Sequence, residues 1–298
     1  MLTHIDLFAG IGGFTLATQQ HGFQTIFVCE KDKFACQTYQ ANFQSPNPLP
    51  NDITTLESIP TCDLLTFGSP CTNLSFAGNR LGLQGDQSKL FYEAVRLLKQ
   101  SQPKTILMEN VVMTKDNKIL IQKELESSGY IVFNEILNSK DFGVPQNRKR
   151  NFWVGIRKDL GKVFFSFPHY HIQTKLKDIL ESNVDPKYTL SDRYLTSLKA
   201  RQERHSKKGN GFTYDPIDIN GIANTLHVGG SSIESNLIKQ DNIRRLTPRE
   251  CFRLQGFSDT FILPCSDTQL YRQAGNGVTV SVVSAIIKEI KRQLLGEK

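Results

Sequence analysis

Long apolar runs are missing from this chain, since no stretch approaches the ~18 residues that a membrane-spanning helix needs. Paired metal-binding cysteines are missing too, because no two of the six cysteines stand in a C-x-x-C arrangement, which leaves a zinc ribbon or a thioredoxin-like site unsupported. The cysteines are Cys29, Cys36, Cys62, Cys71, Cys251 and Cys265. We therefore expect reduced thiols, no metal site, no membrane association and a cytoplasmic protein.

Acidic residues are fewer than basic residues in this chain. The 298 residues include 36 Lys and Arg but only 29 Asp and Glu, which gives a formal net charge of +7 and a pI of about 9.0. Most of the excess lies between residues 157 and 208, where 12 basic residues stand against 6 acidic ones. This imbalance favours a polyanionic partner. A solvated basic face is the alternative that charge alone leaves open.

Strand and helix patterns alternate from residue 1 to residue 167. Short apolar runs at 64–67 and 105–109 predict buried strands, and residues 86–100 place apolar side chains at helical spacing. Strands that alternate with helices predict an α/β fold with a Rossmann-like, doubly wound, mostly parallel sheet.

The pattern changes after this region. Residues 168–243 are polar and irregular, and 199–214 predict a basic loop suited to reading a nucleic-acid groove. Thr247-Pro248-Arg249-Glu250 has the residues of a helix N-terminus. A last helix is predicted at 280–295, with apolar positions that can pack on the main sheet.

A glycine-rich turn, Ala9-Gly10-Ile11-Gly12-Gly13, follows the first predicted strand. It lacks the third, spaced glycine of the dinucleotide fingerprint, while Glu30 ends the second strand where an acid suits ribose hydroxyls. The pattern indicates an adenosine-containing cofactor and does not separate a nicotinamide dinucleotide from S-adenosylmethionine. A tight turn without a ligand also stays open. Asp52 either contacts an adenine or caps the next turn.

Two chemically interesting residues follow neighbouring predicted strands. Cys71 comes after the strand at 64–67 and a Gly-Ser-Pro turn, and Glu109 ends the strand at 105–109. Because the carboxyl ends of parallel strands meet at one edge of a sheet, we expect the two side chains to lie close together. A desolvated carboxyl group there would suit proton donation. An inert, packed thiol is the alternative interpretation of Cys71.

Two arginines, Arg148 and Arg150, occupy alternate positions at the start of another predicted strand. Their side chains should therefore point the same way, in position to clamp a phosphate or a base edge. A basic surface cluster is the alternative.

Seven segments together resemble the cytosine-5 DNA methyltransferases in order and spacing. They are DLFAGIGGF, the strand-end Glu30, GSPC, ENV, QNRKR, RRLTPRECFRLQGF and QAGNGV. The resemblance covers nearly the whole chain except about 168–243. It implies a DNA (cytosine-5-)-methyltransferase, which transfers the methyl group of S-adenosylmethionine to carbon 5 of a flipped-out cytosine in a specific duplex sequence.

The resemblance also implies roles for individual residues. The Cys71 thiolate would add to carbon 6 of cytosine, Glu109 would hold or protonate ring nitrogen 3, and Arg148 and Arg150 would orient the base. The implied cofactor residues are Phe8, Ala9, Gly10, Ile11, Gly13, Glu30, Asp52, Ile53, Asn276 and Val278. S-adenosyl-L-homocysteine would be the product, and no metal is implied.

The resemblance implies a discontinuous catalytic domain. Residues 1–167 and 270–298 would bind the cofactor, and 168–269 would form a smaller, variable DNA-recognition domain with its hinge. The expected partners are double-stranded DNA and a cognate restriction endonuclease acting on the same site, and the expected state is a monomer.

Three positions depart from the family pattern: Thr72 in place of a usual glutamine, Ser69 before Pro70, and Lys31 where an apolar or aromatic side chain is common. None removes a catalytic group, so activity is expected. The rival interpretations are an enzyme acting on tRNA, a catalytically inactive DNA-binding relative and a nicotinamide-dependent dehydrogenase. The dehydrogenase explains only residues 4–30, and intact Cys71 and Glu109 argue against the inactive relative.

Overall fold

The structure, a computed structural model, describes residues 1–69, 89–161, 164–207, 209, 216–228, 236–240 and 242–296. The predicted nucleophile Cys71 and its neighbour Thr72 lie outside these ranges, as do Lys208 and residues 210–214 of the expected groove-reading loop. Within the described ranges, no helix combines the length and apolarity needed to cross a membrane.

A six-stranded sheet forms the centre of the described structure. The first seven strands among the described residues are β1 (Leu2–Leu7), β2 (Phe23–Cys29), β3 (Leu64–Phe67), β4 (Thr105–Val111), β5 (Tyr130–Asn138), β6 (Gln146–Asn147) and β7 (Lys149–Arg157). The sheet has the order β2-β1-β3-β4-β7-β5. Its β2–β1, β1–β3 and β3–β4 pairs are parallel, whereas β7 is antiparallel to both β4 and β5. The predicted mostly parallel sheet is confirmed.

Helices cover both faces of this sheet. The described helices are α1 (Gly13–Gln20), α2 (Lys33–Asn42), α3 (Lys89–Ser101), α4 (Lys115–Ser127), α5 (Asp192–Lys207), α6 (Pro248–Leu254), α7 (Asp267–Asn276) and α8 (Val280–Leu295). Successive residues of β3 face different cores: Leu64 packs in the cluster that contains α1 and α8, and Leu65 in the one that contains α3 and α4. Burial on both faces explains the unbroken apolar run of β3 and confirms the doubly wound arrangement.

The reversed strand β7 begins where its neighbours end. Arg150 is in register with Val111 near the end of β4 and with Leu137 near the end of β5. A strand entering from this side carries its first residues to the carboxyl edge of the sheet. Arg150 therefore reaches the edge where open α/β sheets bind their ligands.

The last helix, α8, packs against the first, α1. His21 at the end of α1 is 2.9 Å (Nε2 to Oγ) from Ser284 of α8. At the other end of the pair, a Cβ on Gly13 would lie 2.7 Å from Cγ2 of Val278. Only a residue without a side chain permits this approach, so Gly13 lets the C-terminal segment close on the turn after β1.

Short strands, one α-helix and short 3-10 helices make up the described part of the region between β7 and α6. The strands β8 (Ile217–Asp218), β10 (Leu237–Lys239) and β11 (Ile243–Arg245) form one sheet, and β9 (Ala223–Asn224) pairs with β6. The expectation of a loop at 199–214 is wrong for 199–207, which are helical in α5. Leu195 and Leu198, three positions apart, pack against Leu237. These two leucines form an apolar stripe too short to stand out among the charged residues of the segment.

The predicted start of α6 is confirmed by a reciprocal cap. The Thr247 hydroxyl oxygen accepts from the Glu250 amide at 3.1 Å, and the Glu250 carboxylate accepts from the Thr247 amide at 2.8 Å. Both Glu250 oxygens also accept from the buried guanidinium of Arg244 on β11, at 2.8 and 2.7 Å. This buried ion pair ties α6 to the small sheet. The exact division at residues 167 and 270 between catalytic and recognition parts stays a prediction.

Candidate active site

Glu109, on β4, marks the candidate site at the carboxyl edge of the sheet. Its Oε1 lies 3.2 Å from Nε of Arg150, and a Cβ on Gly68 would lie 3.6 Å from its Oε2. Gly68 directly follows β3, and Cys71 comes three positions later in the sequence. Burial raises the pKa of Glu109, and the charges of Arg150 and Arg148 only partly oppose this rise. The group therefore keeps its proton to a higher pH than an exposed glutamate.

Asn110 fixes the chain as it leaves β3. Its Nδ2 donates to the backbone oxygen of Ser69 at 3.3 Å and lies 3.5 Å from the Ser69 hydroxyl. Its Oδ1 accepts from the Val111 amide at 2.8 Å. Both Asn110 and Ser69 are buried. Ser69, one of the departures from the family pattern, thus brings a second polar atom to Asn110 and fits this position.

The two candidate arginines, Arg148 and Arg150, have different bonding partners. Arg150 is paired with Glu109, and its Nη1 donates to the Lys149 carbonyl at 2.8 Å. Arg148 is buried, and its guanidinium donates to backbone carbonyls of Leu226 (2.9 Å), Gly275 (3.2 Å) and Gly277 (2.9 Å). The expected contact of Arg148 with a base stays a prediction. Its observed bonds join the start of β7 to the segment after β9 and to the end of α7.

Two buried glutamines extend this junction, which sequence reasoning missed. Gln146 donates to the Leu254 carbonyl at 2.9 Å and accepts from the Leu226 amide at 3.0 Å. Gln255 donates to the Ala274 carbonyl at 2.6 Å, and its Oε1 accepts from the Thr279 hydroxyl at 2.9 Å. The bonds of Gln146 join segments 80 and 108 residues apart in sequence, and those of Gln255 join segments 19 and 24 residues apart. No local pattern signals such bonds.

We expect Arg148→Met to lower the free energy of unfolding by about 2–5 kcal/mol, because it leaves several buried carbonyls without their charged donor. Urea unfolding followed by circular dichroism measures this change. Arg150→Met is the matched control, since it removes an arginine whose partner is a side chain of the site, and it should lose activity more than stability. An Arg148→Met protein as stable as the wild type would contradict the junction role.

The turn after β1 has an unusual backbone. Phe8 and Gly10 both have left-handed φ values, 55° and 57°. For Phe8 this conformation costs about 1–3 kcal/mol, and such residues cluster at ligand sites. A Cβ on Gly10 would meet no described atom within 4 Å. The turn therefore presents an open backbone surface at the start of α1.

Glu30 holds this turn against the end of β2. Its carboxylate accepts from the amides of Gly10 (2.7 Å), Lys31 (2.8 Å) and Asp32 (2.7 Å). Burial raises its pKa, although the three bonds oppose the rise. A carboxylate has about four acceptor positions, so one stays available. The predicted contact between Glu30 and a ribose is compatible with these bonds and stays a prediction.

Asp52 caps the turn that follows it, one of the two alternatives left by the sequence. Its Oδ1 accepts from the amide (3.0 Å) and the hydroxyl (2.9 Å) of Thr54. Its Oδ2 is 2.5 Å from Nζ of Lys31. The Lys31 bond and the Thr54 bonds lower the pKa of Asp52. The departure at Lys31 is thus matched by an ion pair, and an adenine contact of Asp52 stays a prediction.

The remaining predicted cofactor residues surround the same turn. Ala9, Ile11, Ile53 and Val278 are buried, while Asn276 is exposed at the end of α7. The Asn51 amide donates to the Glu30 carbonyl at 2.8 Å, which brings the 51–53 segment beside β2. The described residues contain no group of three or more His, Cys, Asp or Glu side chains placed to hold a metal ion.

A buried polar network under the turn was also missed by sequence reasoning. Asp6 accepts from the amide (3.2 Å) and hydroxyl (2.8 Å) of Thr15 on α1 and from the Thr66 hydroxyl (3.0 Å) on β3. His4 Nε2 lies 2.8 Å from the same Thr66 hydroxyl. Burial raises the pKa of Asp6 to about 7 and lowers that of His4 to about 3. The network fastens the first turns of α1 to two strands.

Comparison of the sequence with known proteins gives consistent matches. The family model described as C-5 cytosine-specific DNA methylase matches residues 2–292. The Type II methyltransferase M.HpaII of Haemophilus parainfluenzae is 40% identical, and the alignment covers 98% of this chain and 90% of that protein. M.NlaX of Neisseria lactamica, another Type II methyltransferase, is 39% identical over 99% of this chain and 97% of its own length.

Solved structures share the fold. The Dnmt2 methyltransferase of S. pombe superimposes with a TM-score of 0.79 at 21% identity, covering 99% of each chain. A putative DNA modification methyltransferase encoded within an E. coli prophage has a TM-score of 0.75 at 23% identity, covering 99% of this chain and all of that one. At these identities the likeness concerns the fold, and it agrees with the doubly wound sheet described above.

Proposed function

The chain belongs to the C-5 cytosine-specific DNA methylase family, and from this premise we propose that Glu109 and Arg150 act with Cys71 as its catalytic centre. The enzyme is a DNA (cytosine-5-)-methyltransferase, related along its length to Type II enzymes of restriction–modification systems. The observation that supports the assignment best is the largely buried Glu109 carboxyl group, with its raised pKa, beside the end of β3.

Cys71 is assigned as the nucleophile. Carbon 5 of cytosine is too weak a nucleophile to take a methyl group directly. Addition of the Cys71 thiolate to carbon 6 pushes electron density onto carbon 5, which can then form the new carbon–carbon bond. Loss of the carbon-5 proton and elimination of Cys71 restore the aromatic ring. The target base must leave the DNA stack for this chemistry.

Glu109 and Arg150 are assigned to the base itself. A carboxyl group that keeps its proton can donate to ring nitrogen 3 and offset the negative charge created when Cys71 adds. Arg150, 3.2 Å from that carboxyl group, orients Glu109 and can donate to the base carbonyl. Arg148, whose guanidinium is occupied by backbone carbonyls, is assigned to positioning this edge.

S-adenosylmethionine, the cofactor of this family, supplies the electrophilic methyl group. The residues at the turn after β1 fit its adenosine half. Gly10 offers an open backbone surface, Glu30 keeps an acceptor position for a ribose hydroxyl, and Ile53 and Val278 supply apolar contacts. Asn276 is assigned to the same site from the C-terminal side.

DNA is the assigned partner, with sequence readout in the region 168–269. The basic excess between residues 157 and 208 supports this division, because backbone phosphates are bound by positive charge. A cognate restriction endonuclease, a monomeric state and a cytoplasmic location remain predictions of the same assignment.

Base-resolution mapping of methylcytosine tests the proposal. The protein is incubated with S-adenosylmethionine carrying a labelled methyl group and a library of random DNA duplexes, with tRNA as the parallel substrate. We expect label in duplex DNA at cytosines of one sequence and none in tRNA. Labelling of tRNA alone would overturn the assigned substrate, and no transfer to either would overturn the catalytic assignment.

A further inference from the structure

A cavity of about 520 Å³ opens at the carboxyl end of β5, the edge strand of the main sheet. Its walls come from four segments that no part of the mechanism uses. They are Ile136–Asn138 at the end of β5, Lys140–Phe142 in the next turn, Lys149 at the start of β7, and His169–His171. Val112, just beyond β4, completes the lining.

The polar lining of this cavity is mainly basic. Lys140 and Lys149 are exposed, and neither ammonium group forms an ion pair with any residue of the described ranges. His171 adds a third basic side chain. Nε2 of His169 lies 3.2 Å from Oε1 of Glu135. Asp141 is the acidic side chain of the lining. Two ammonium groups without a carboxylate partner favour an anionic ligand.

The cavity and the proposed catalytic residues lie on opposite sides of β7. Side chains alternate along a strand, so Lys149 and Arg150 leave β7 on opposite sides. Arg150 reaches Glu109, whereas Lys149 lines the cavity. The anionic ligand would therefore lie one residue of β7 away from the flipped base.

We propose that this cavity binds the phosphodiester backbone of the DNA strand as it passes beyond the target cytosine, with Lys140 and Lys149 each contacting a phosphate. The inference rests on the proposed function: a nucleotide flipped towards Glu109 stays joined to its strand, and Lys149 directly precedes the Arg150 that contacts Glu109. Lysine is a flexible point charge, suited to holding a phosphate without reading a base. The cavity then fixes the register of the strand while recognition takes place elsewhere.

The salt dependence of DNA binding tests this contact. Each lost phosphate contact lowers the slope of log K against log salt by about 0.9. Lys140→Ala/Lys149→Ala should therefore reduce the slope by about two. The ratio of wild-type to variant affinity should shrink about tenfold between about 50 and 200 mM salt. Because phosphates carry no sequence information, the loss should be equal on duplexes of unrelated sequence.

Two further proteins make the result specific. Lys99→Ala/Lys288→Ala removes two lysines from the opposite edge of the sheet and should keep the wild-type slope. Lys99 lies in the last turn of α3, just before β4, and Lys288 lies near His21, just before β2. Lys140→Arg/Lys149→Arg should restore it. A double alanine variant with the wild-type slope would overturn the proposal, as would a loss confined to one sequence. Failure of the wild-type protein to methylate DNA would instead count against the proposed function.

Discussion

Replacing Cys71 with alanine should lower methyl transfer by about 10⁴-fold or more, the scale seen when an enzyme loses its nucleophile. Without the thiolate, no group can add to carbon 6, and carbon 5 stays too electron-poor to take the methyl group. Binding of S-adenosylmethionine should change by no more than a few-fold, because Cys71 is assigned to the base and not to the cofactor. Radiolabel transfer and equilibrium cofactor binding measure the two effects separately.

The other thiols supply a matched control. Burial raises the pKa of Cys29, Cys36 and Cys62 to about 12, so these groups stay protonated near neutral pH and are poor nucleophiles. Cys62→Ala should therefore keep its activity, apart from a modest loss of packing. Near-normal turnover by Cys71→Ala would end the assignment.

A duplex with 5-fluorocytosine at the target position should trap the wild-type enzyme. Fluorine cannot leave as a proton does, so the covalent bond to carbon 6 persists after methyl transfer. Peptide mapping of the adduct should locate it at Cys71. An adduct on any other residue would contradict the mechanism.

Glu109→Gln should lower the chemical rate by about 10²- to 10⁴-fold, the usual range for a lost general acid. Glutamine keeps the size and a hydrogen-bond donor but cannot deliver a proton to ring nitrogen 3. DNA affinity should change much less. Single-turnover kinetics separate the two quantities. Glu93→Gln is the matched control, since Glu93 is paired with Arg96 on α3, away from the base.

The pH dependence of the single-turnover rate should also report the protonation of Glu109. Burial raises the pKa of Glu109, so the protonated form is present below that pKa and is lost as pH rises through it. The single-turnover rate of the wild type should therefore fall on the alkaline side, and the Gln variant should lack this fall. A wild-type alkaline limb that persists in Glu109→Gln would assign the proton to another residue.

Local patterns in the sequence predicted the main sheet and its helices well. The strand at 64–67 and the last helix at 280–295 match β3 and α8 at both ends. Both are set by side-chain periodicity and by turn or cap residues, which act over a few positions. The order of chemical groups along the chain likewise predicted that Glu109 would stand beside the exit of β3, because parallel strands deliver their ends to one edge.

Contacts between distant segments were not predictable in the same way. The bonds from Arg148 to Leu226 and Gly275 depend on which loops meet, and no spacing encodes that. Nothing in the sequence around Asp6 indicates that the hydroxyl groups of Thr15 and Thr66 donate to its carboxylate. In α5, the many charged residues led to a loop prediction, because the two leucines that pack in the structure are too few to indicate a helix. These are the places where tertiary structure, rather than local preference, sets the role of a residue.

The packing of α8 on α1 also delays completion of the core during synthesis, because α8 is translated long after α1. Roughly 260 residues separate Gln20 from Val280, about 13–50 s at ribosomal rates of about 5–20 residues per second. Throughout that interval the apolar face of α1 has no α8 to cover it, and Val278, which packs on Gly13, has not been made. Nascent chains should therefore depend on chaperones for longer than those of a domain whose first helix is covered by elements close to it in sequence.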